Sequence, residues 1–237
     1  MIRFHNLWYI LGKFLLALSG VMLVPLALAF WNGNDVTPMG YSCLITGFVG
    51  ILSCFFFPKP SYDLNQREAL LLVCLTWFLV CFFGALPFYF SCYFSSFTDA
   101  FFEATSGFTA TGSTVLKDVE VLTQDIQLWR SLSHWMGGMG IVLLGIAILP
   151  LIGMGGMTLY RAEFSGARSE KLKPRVTQTA LALWKIYLSL TVFAFCGFYL
   201  VGMNAFDSIC HTFSVVATGG FSTRTASLGA FQNPGIE

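Results

Sequence analysis

Apolar residues fall into five long runs: Leu7–Trp31, Met39–Phe57, Ala69–Phe90, Gln127–Ile152 and Thr177–Val201. About 20 apolar residues at a helical rise of about 1.5 Å cross a bilayer, so each run predicts a spanning helix. Only Lys13, Arg130 and Lys185 interrupt them. Lys13 and Arg130 lie near helix ends, and the sequence predicts that both snorkel to the headgroups. The first two runs make a hairpin closed by Asn32-Gly33-Asn34-Asp35 and followed by Pro58-Lys59-Pro60.

The polar interruptions then change character. After Ser95-Ser96, Asp99–Phe108 has helical composition but reaches only about 15 Å, half the hydrocarbon thickness. The uncharged stretch Thr109-Ala110-Thr111-Gly112-Ser113-Thr114 follows, and Gln127–Ile152 then crosses back. The unit is a helix, a short re-entrant helix, a polar glycine-containing strand, and a helix. Non-helical backbone at membrane depth persists only where protein buries it or it lines water, so the unit predicts a pore or a binding site. It begins again with Thr177–Val201, the short helix Ala205–Val215, and Val216-Ala217-Thr218-Gly219-Gly220. Ala110-Thr111-Gly112 and Ala217-Thr218-Gly219 are the same tripeptide, each shortly after an aspartate (Asp99, Asp207). They predict an internal repeat aligned on Gly112 and Gly219.

Composition agrees with lipid as the solvent, since 56% of the 237 residues are hydrophobic and 11% charged. The net charge of +1 argues against a nucleic-acid role. With the N-terminus in the cytoplasm, alternating spans put Arg3, Lys13, Lys59, Arg67, Arg161, Arg168, Lys171, Lys173 and Arg175 inside, and most acidic residues outside. Ala27-Leu28-Ala29 resembles a signal-peptide cleavage site, but the apolar stretch continues through Phe30 and Trp31 and reads as a retained span. The seven cysteines lack metal-type spacing and read as packing residues. No cofactor site is legible.

A potassium ion crossing a narrow pore sheds its water, and rings of backbone carbonyls replace it without fixed charge. Aiming consecutive carbonyls at one axis needs backbone angles that glycine permits, a role this reading gives to Gly112 and Gly219. Thr109, Thr111 and Thr218 add hydroxyl oxygens or brace the strand, and the partially negative C-terminal end of each short helix favours a cation.

The segment Phe101–Gly112, the run Arg130-Ser131-Leu132-Ser133-His134-Trp135-Met136-Gly137-Gly138-Met139-Gly140-Ile141, and Ser214–Thr223 resemble the pore loops and intervening helix of the TrkH/TrkG potassium-uptake family. The resemblance implies an all-α membrane protein, with an N-terminal helical hairpin and four helix–pore-loop–helix repeats around one pseudo-fourfold, potassium-channel-like pore. It implies residence in the bacterial inner membrane, pairing as homodimers, and a cytosolic nucleotide-binding ring of TrkA type on the inner face. By position it places potassium at the backbone of Ala110, Thr111, Ala217 and Thr218, with Thr109, Gly112, Ser113, Val216, Gly219 and Gly220 completing the two filter segments. Residues 1–60 are then the hairpin, 61–155 the first repeat, and 156–237 a cytoplasmic loop and an incomplete second repeat. The chain reads as an N-terminal half whose partner is a missing C-terminal half or a second chain.

His134 and Trp135 read as interfacial anchors, and Gly137, Gly138 and Gly140 as points of close helix contact. Glu103 and Asp99 either draw cations at the pore mouth or serve in capping and solvation, and Lys185 is a weak intramembrane candidate. The basic stretch Arg161–Arg175 is a headgroup-binding loop or a regulator's docking surface. An intramembrane enzyme would need paired carboxylates or a nucleophile and base, yet the spans hold no Asp or Glu, and His5, His134 and His211 show no evident Ser or Cys partner. A non-conducting assembly subunit of the same fold is the competing reading.

Overall fold

The computed structural model describes residues 4–57, 66–152, 172–233 and 235. Among these, the order is α1 (Phe4–Asn32), α2 (Thr37–Phe56), α3 (Gln66–Gly84), α4 (Leu86–Phe90), α5 (Phe97–Phe108), α6 (Gln124–Ile152), α7 (Leu172–Leu200) and α8 (Ala205–Val216), with a 3-10 turn at Ser227–Phe231. The described residues contain no strand. The polar segments after α5 and α8 are therefore isolated threads rather than members of a sheet. Among the described residues, four stretches are long and apolar enough to cross a membrane: Leu7–Asn32, Thr37–Phe56, Arg67–Phe90 and Gln178–Leu200. Helix α6 has 29 residues, about 43 Å at helical rise.

The hairpin packs through small residues. A Cβ on Gly12 would lie 2.9 Å from the carbonyl oxygen of Gly50, and one on Gly47 would lie 2.9 Å from Ser19 Oγ. Both distances are too short for real side chains, so these glycines let α1 and α2 approach closely, the usual solution where lipid supplies no hydrophobic drive. At the turn, Asn32 Nδ2 donates to Gln124 Oε1 at 2.8 Å and Asn34 Nδ2 to Asp125 Oδ1 at 2.9 Å. The end of α1 and the start of α6 thus share one face of the molecule, as alternating spans require.

The run predicted as one crossing, Ala69–Phe90, is two helices with a break at Ala85. Pro87 has no N–H to offer the carbonyl four residues back, and its ring crowds that turn. Trp129 of α6 approaches the break and donates its Nε1–H to the carbonyl of Gly84 at 3.0 Å. Phe88, Phe108 and Trp129 are buried beside it, and Phe108 meets Trp129 edge-on at 6.1 Å. This core seats the C-terminal end of α5. All seven cysteines are free, with Cys81 and Cys210 buried in packing roles.

Candidate functional site

Helices α5 and α8 have 12 residues each and are built alike from end to end. Ser96 caps α5 by accepting from the N–H of Asp99, and Asn204 caps α8 by accepting from the N–H of Asp207. Each cap also donates to the aspartate's carboxylate, at 2.9 Å from Ser96 Oγ and 2.7 Å from Asn204 Nδ2. A short polar cap and an acid in the first turn satisfy the free N–H groups and complement the helix dipole. Asp99 therefore serves in capping.

The C-terminal ends match as well. Ala110 N–H donates to Gly107 O and Thr111 N–H to Ser106 O, both at 2.9 Å. In the second unit Thr218 N–H donates to Val215 O at 2.9 Å and Gly219 N–H to Ser214 O at 2.8 Å. This paired pattern is a Schellman end, which demands one left-handed residue. That residue is Ala110 (φ 52°) in the first unit and Thr218 (φ 54°) in the second. Two residues on, Gly112 (φ 77°) and Gly220 (φ 97°) both have positive φ.

This backbone register corrects the alignment read from the tripeptides. Gly112 corresponds to Gly220, and Gly219 corresponds to Thr111. The two Ala-Thr-Gly copies stand 107 positions apart, whereas Asp99 and Asp207 stand 108 apart, as do the ends of the two short helices. Helix caps, not side-chain identity, set where the backbone turns. Gly219 is small for a different reason, because a Cβ there would overlap the imidazole of His134.

Among the described residues, no donor bonds to the carbonyl oxygens of Thr109–Ser113 or of residues 217–220. Thr109, Thr111, Ser113, Thr218 and Gly220 are exposed in this chain. The threonine hydroxyls brace the thread: Thr109 Oγ1 donates to Thr105 O at 2.7 Å and pairs with Thr111 Oγ1 at 2.8 Å. The two threads touch, since a Cβ on Gly112 would overlap the carbonyl oxygen of Gly219.

Helix α6 holds both threads. A Cβ on Gly137 would overlap the Phe108 carbonyl at the end of α5. One on Gly138 would lie 2.9 Å from Ala217, just past the end of α8. Consecutive glycines thus seat the two re-entrant helices, and close contact at these positions is what the sequence predicts.

Three sequence expectations change here. Arg130 does not snorkel: it is 2% exposed and paired with Glu103, itself fully buried, through Nε and a terminal nitrogen at 2.8 Å each. Glu103 does not face the pore mouth, because its oxygens accept from Thr114 Oγ1 at 2.9 Å and Val115 N–H at 3.3 Å. His134 is not an interfacial anchor, being buried with Nδ1 3.1 Å from Ser214 Oγ. A spanning helix lets a residue near its end snorkel only if that face meets lipid, and this face meets α5 and α8 instead. Trp135, half-buried, donates to Thr191 Oγ1 at 3.1 Å.

The outer ends of the threads are tied together. Thr223 Oγ1 donates to Asp207 at 2.6 Å, and Arg224 pairs with Asp207 at 3.1 Å and Glu120 at 3.5 Å. Thr225 donates its hydroxyl to Asp118 at 2.8 Å. The N–H of Glu120 and the hydroxyl of Thr225 hold the Asp118 carboxyl below its ordinary range. His211, buried, places Nε2 3.0 Å from Ser222 Oγ. His134 and His211 therefore have serine neighbours, which the sequence did not reveal, but Ser214 also accepts the Gly220 N–H and Ser222 the Arg224 N–H. They brace backbone.

No motif in the sequence marks Ser214, Phe221, Thr223 or Arg224 as a working residue. The available signal was the density of polar residues just beyond the second glycine pair, in a chain with few of them. Lys185 is exposed on α7. Arg161–Lys171 of the basic stretch lies outside the described residues.

A family model described as TrkH, cation transport protein, matches residues 42–237. The chain is 41% identical over 242 residues to the Trk system potassium uptake protein TrkH of Escherichia coli strain K12, covering 99% of this chain and 49% of that protein. It is 34% identical over 219 residues to the Trk system potassium uptake protein TrkG of the same strain, covering 91% and 45%. Against the crystal structure of the potassium transporter TrkH from Vibrio parahaemolyticus, the TM-score is 0.82 at 36% identity, covering 99% of this chain and 47% of that one. The chain spans about half the length of the curated relatives it matches. With a family model over most of its length and a shared fold from the hairpin to the second re-entrant helix, the chain belongs to the TrkH cation transport family.

Proposed function

We propose that this chain supplies two of the four walls of a potassium-selective pore for uptake across the bacterial inner membrane. The observation that carries this reading is the pair of matched threads with unbonded carbonyls, each at the partially negative end of a short re-entrant helix. Thr109–Ser113 forms one wall and residues 216–220 the other. Gly112 and Gly220 occupy equivalent places in them, and Gly219 acts as the spacer against His134. Residues 1–60 are the supporting hairpin, 61–155 the first repeat, and 156–237 the inner loop and part of the second, with the N-terminus in the cytoplasm. The other two walls come from a C-terminal half or a second chain. The reading includes pairing as a dimer and a TrkA-like nucleotide-binding ring on the inner face, which the resemblance to the family supports.

The test is rubidium uptake in bacteria lacking their own potassium systems, with this chain expressed alone and beside a matching second half. Uptake only with the second half supports the reading. Expression of both halves without uptake would leave the non-conducting assembly subunit as the better account. In the conducting pair, Gly112→Ser relaxes discrimination between potassium and sodium, because the new side chain displaces the Gly219 carbonyl. Unchanged discrimination would remove Gly112 from the filter.

A further inference from the structure

Phe221 directly follows the second thread, and its ring lies between two side chains of α6. The imidazole of His134 stacks on it at 4.0 Å with planes 9° apart, and the guanidinium carbon of Arg130 lies 4.0 Å from the same ring centre. A parallel ring at that distance fills one face, so the guanidinium takes the other. All three residues are at most 3% exposed. The clamp reaches backbone on both sides of Phe221: Ser214 Oγ, beside His134 Nδ1, accepts the Gly220 N–H at 3.0 Å, and Arg130 donates to the Ser222 carbonyl at 3.3 Å.

The same guanidinium is paired with Glu103, whose remaining acceptor capacity goes to Thr114 and Val115, the residues that leave the first thread. Packing alone does not account for this set. His134 Nε2 is buried without a hydrogen-bond partner among the described residues, a cost an apolar side chain would avoid while still covering Phe221. What the histidine adds is its Nδ1 contact to the serine that holds Gly220. Among the described residues, the hydrogen-bond and ring partners of Glu103, Arg130 and His134 outside α5 and α6 lie on a thread, just past its end, or on the serine that fixes one.

We propose that Arg130 and His134 are positioning residues of the ion pathway: they clamp Phe221 and, through Glu103, set the two filter walls as one unit. The proposal rests on the reading of the threads as filter walls, and its test has one arm that does not depend on transport. Deuterium uptake over 217–223 is measured on the purified chain. Ser214→Ala and His134→Leu raise exchange there about tenfold, the factor for one lost buried hydrogen bond. His134→Asn, which keeps a polar atom near the Nδ1 position, restores most of the protection. Glu103→Gln raises exchange in the same segment, although Glu103 bonds to none of its residues. Unchanged exchange in Ser214→Ala and His134→Leu, or an effect of Glu103→Gln confined to 112–116, overturns the clamp.

In the conducting pair, Ser214→Ala lowers the rubidium-to-sodium uptake ratio about tenfold at unchanged expression, by the same arithmetic. An unchanged ratio in a pair that does transport also overturns the clamp. If the parent pair does not transport at all, the potassium reading fails, and exchange alone decides the positioning role.

Discussion

Replacing Glu103 by glutamine takes one negative charge out of a site that excludes water. The carboxylate is fully buried and accepts from two Arg130 nitrogens at 2.8 Å, from Thr114 Oγ1 at 2.9 Å, and from the Val115 N–H at 3.3 Å. Glutamine offers one acceptor oxygen and an NH2 that repels the remaining donors. The Arg130 guanidinium, 2% exposed, keeps the Ser222 carbonyl and the face of Phe221 but loses its counter-charge. Removing one partner of a buried pair costs about 3–5 kcal/mol, and the retained amide bond argues for the lower end, about 3 kcal/mol. For a chain of this length each kcal/mol moves the melting temperature by about 2–4 °C, so the expected drop is about 6–12 °C. The assay is thermal unfolding of the purified chain in detergent, followed by tryptophan fluorescence. Adding Arg130→Met recovers part of the loss, because the uncompensated charge goes with it. A drop smaller than about 2 °C for Glu103→Gln would refute the view that this pair is dry and mutually dependent.

Other consequences follow from local geometry. Gly137→Ala destabilises by about 1–3 kcal/mol through overlap with the Phe108 carbonyl, whereas Gly140→Ala, with 3.4 Å of room beside Trp77, is tolerated; unfolding of the two variants side by side checks this. Asn204→Ala removes both cap bonds of α8 and lowers stability by about 1 kcal/mol in the same measurement. Gly220→Ala strains only a left-handed backbone with open space around it, while Gly112→Ala also displaces the facing thread. Exchange over 217–223 therefore rises more in Gly112→Ala than exchange over 109–115 does in Gly220→Ala. Asp118, its carboxyl held low by Glu120 and Thr225, stabilises the tie between the outer segments above the ordinary carboxylate pKa of about 3.9. That stabilisation is lost as pH falls through its lowered folded value, so protection of 222–227 drops on acidification in the parent chain and much less in Asp118→Asn.

Apolar run length, charge placement and interruption by short polar stretches depend on local composition. They determined the hairpin, the spanning helices, the two re-entrant helices and the approximate position of both threads. The helix ends agree closely, with α5 and Asp99–Phe108 finishing at the same residue and α8 extending one residue beyond Ala205–Val215. Gly137 and Gly138 were legible as contact points because lipid-embedded helices approach only through small residues.

Which residue faces which neighbour depends on how separate helices pack, and that was not legible. Local reading sent Arg130 to the headgroups and His134 to the interface, because both are near a helix end; the fold turns that face of α6 onto α5 and α8, where Glu103 and Ser214 wait. Side-chain identity aligned Gly112 with Gly219, while the hydrogen bonds that end each helix align it with Gly220. The sequence by itself determined that two re-entrant units exist and where their polar threads run, since hydrophobic length and polar breaks are written locally. Only the tertiary structure decided their register and the buried clamp that joins them, because both arise from backbone hydrogen bonding and contacts between residues about 30 to 90 positions apart.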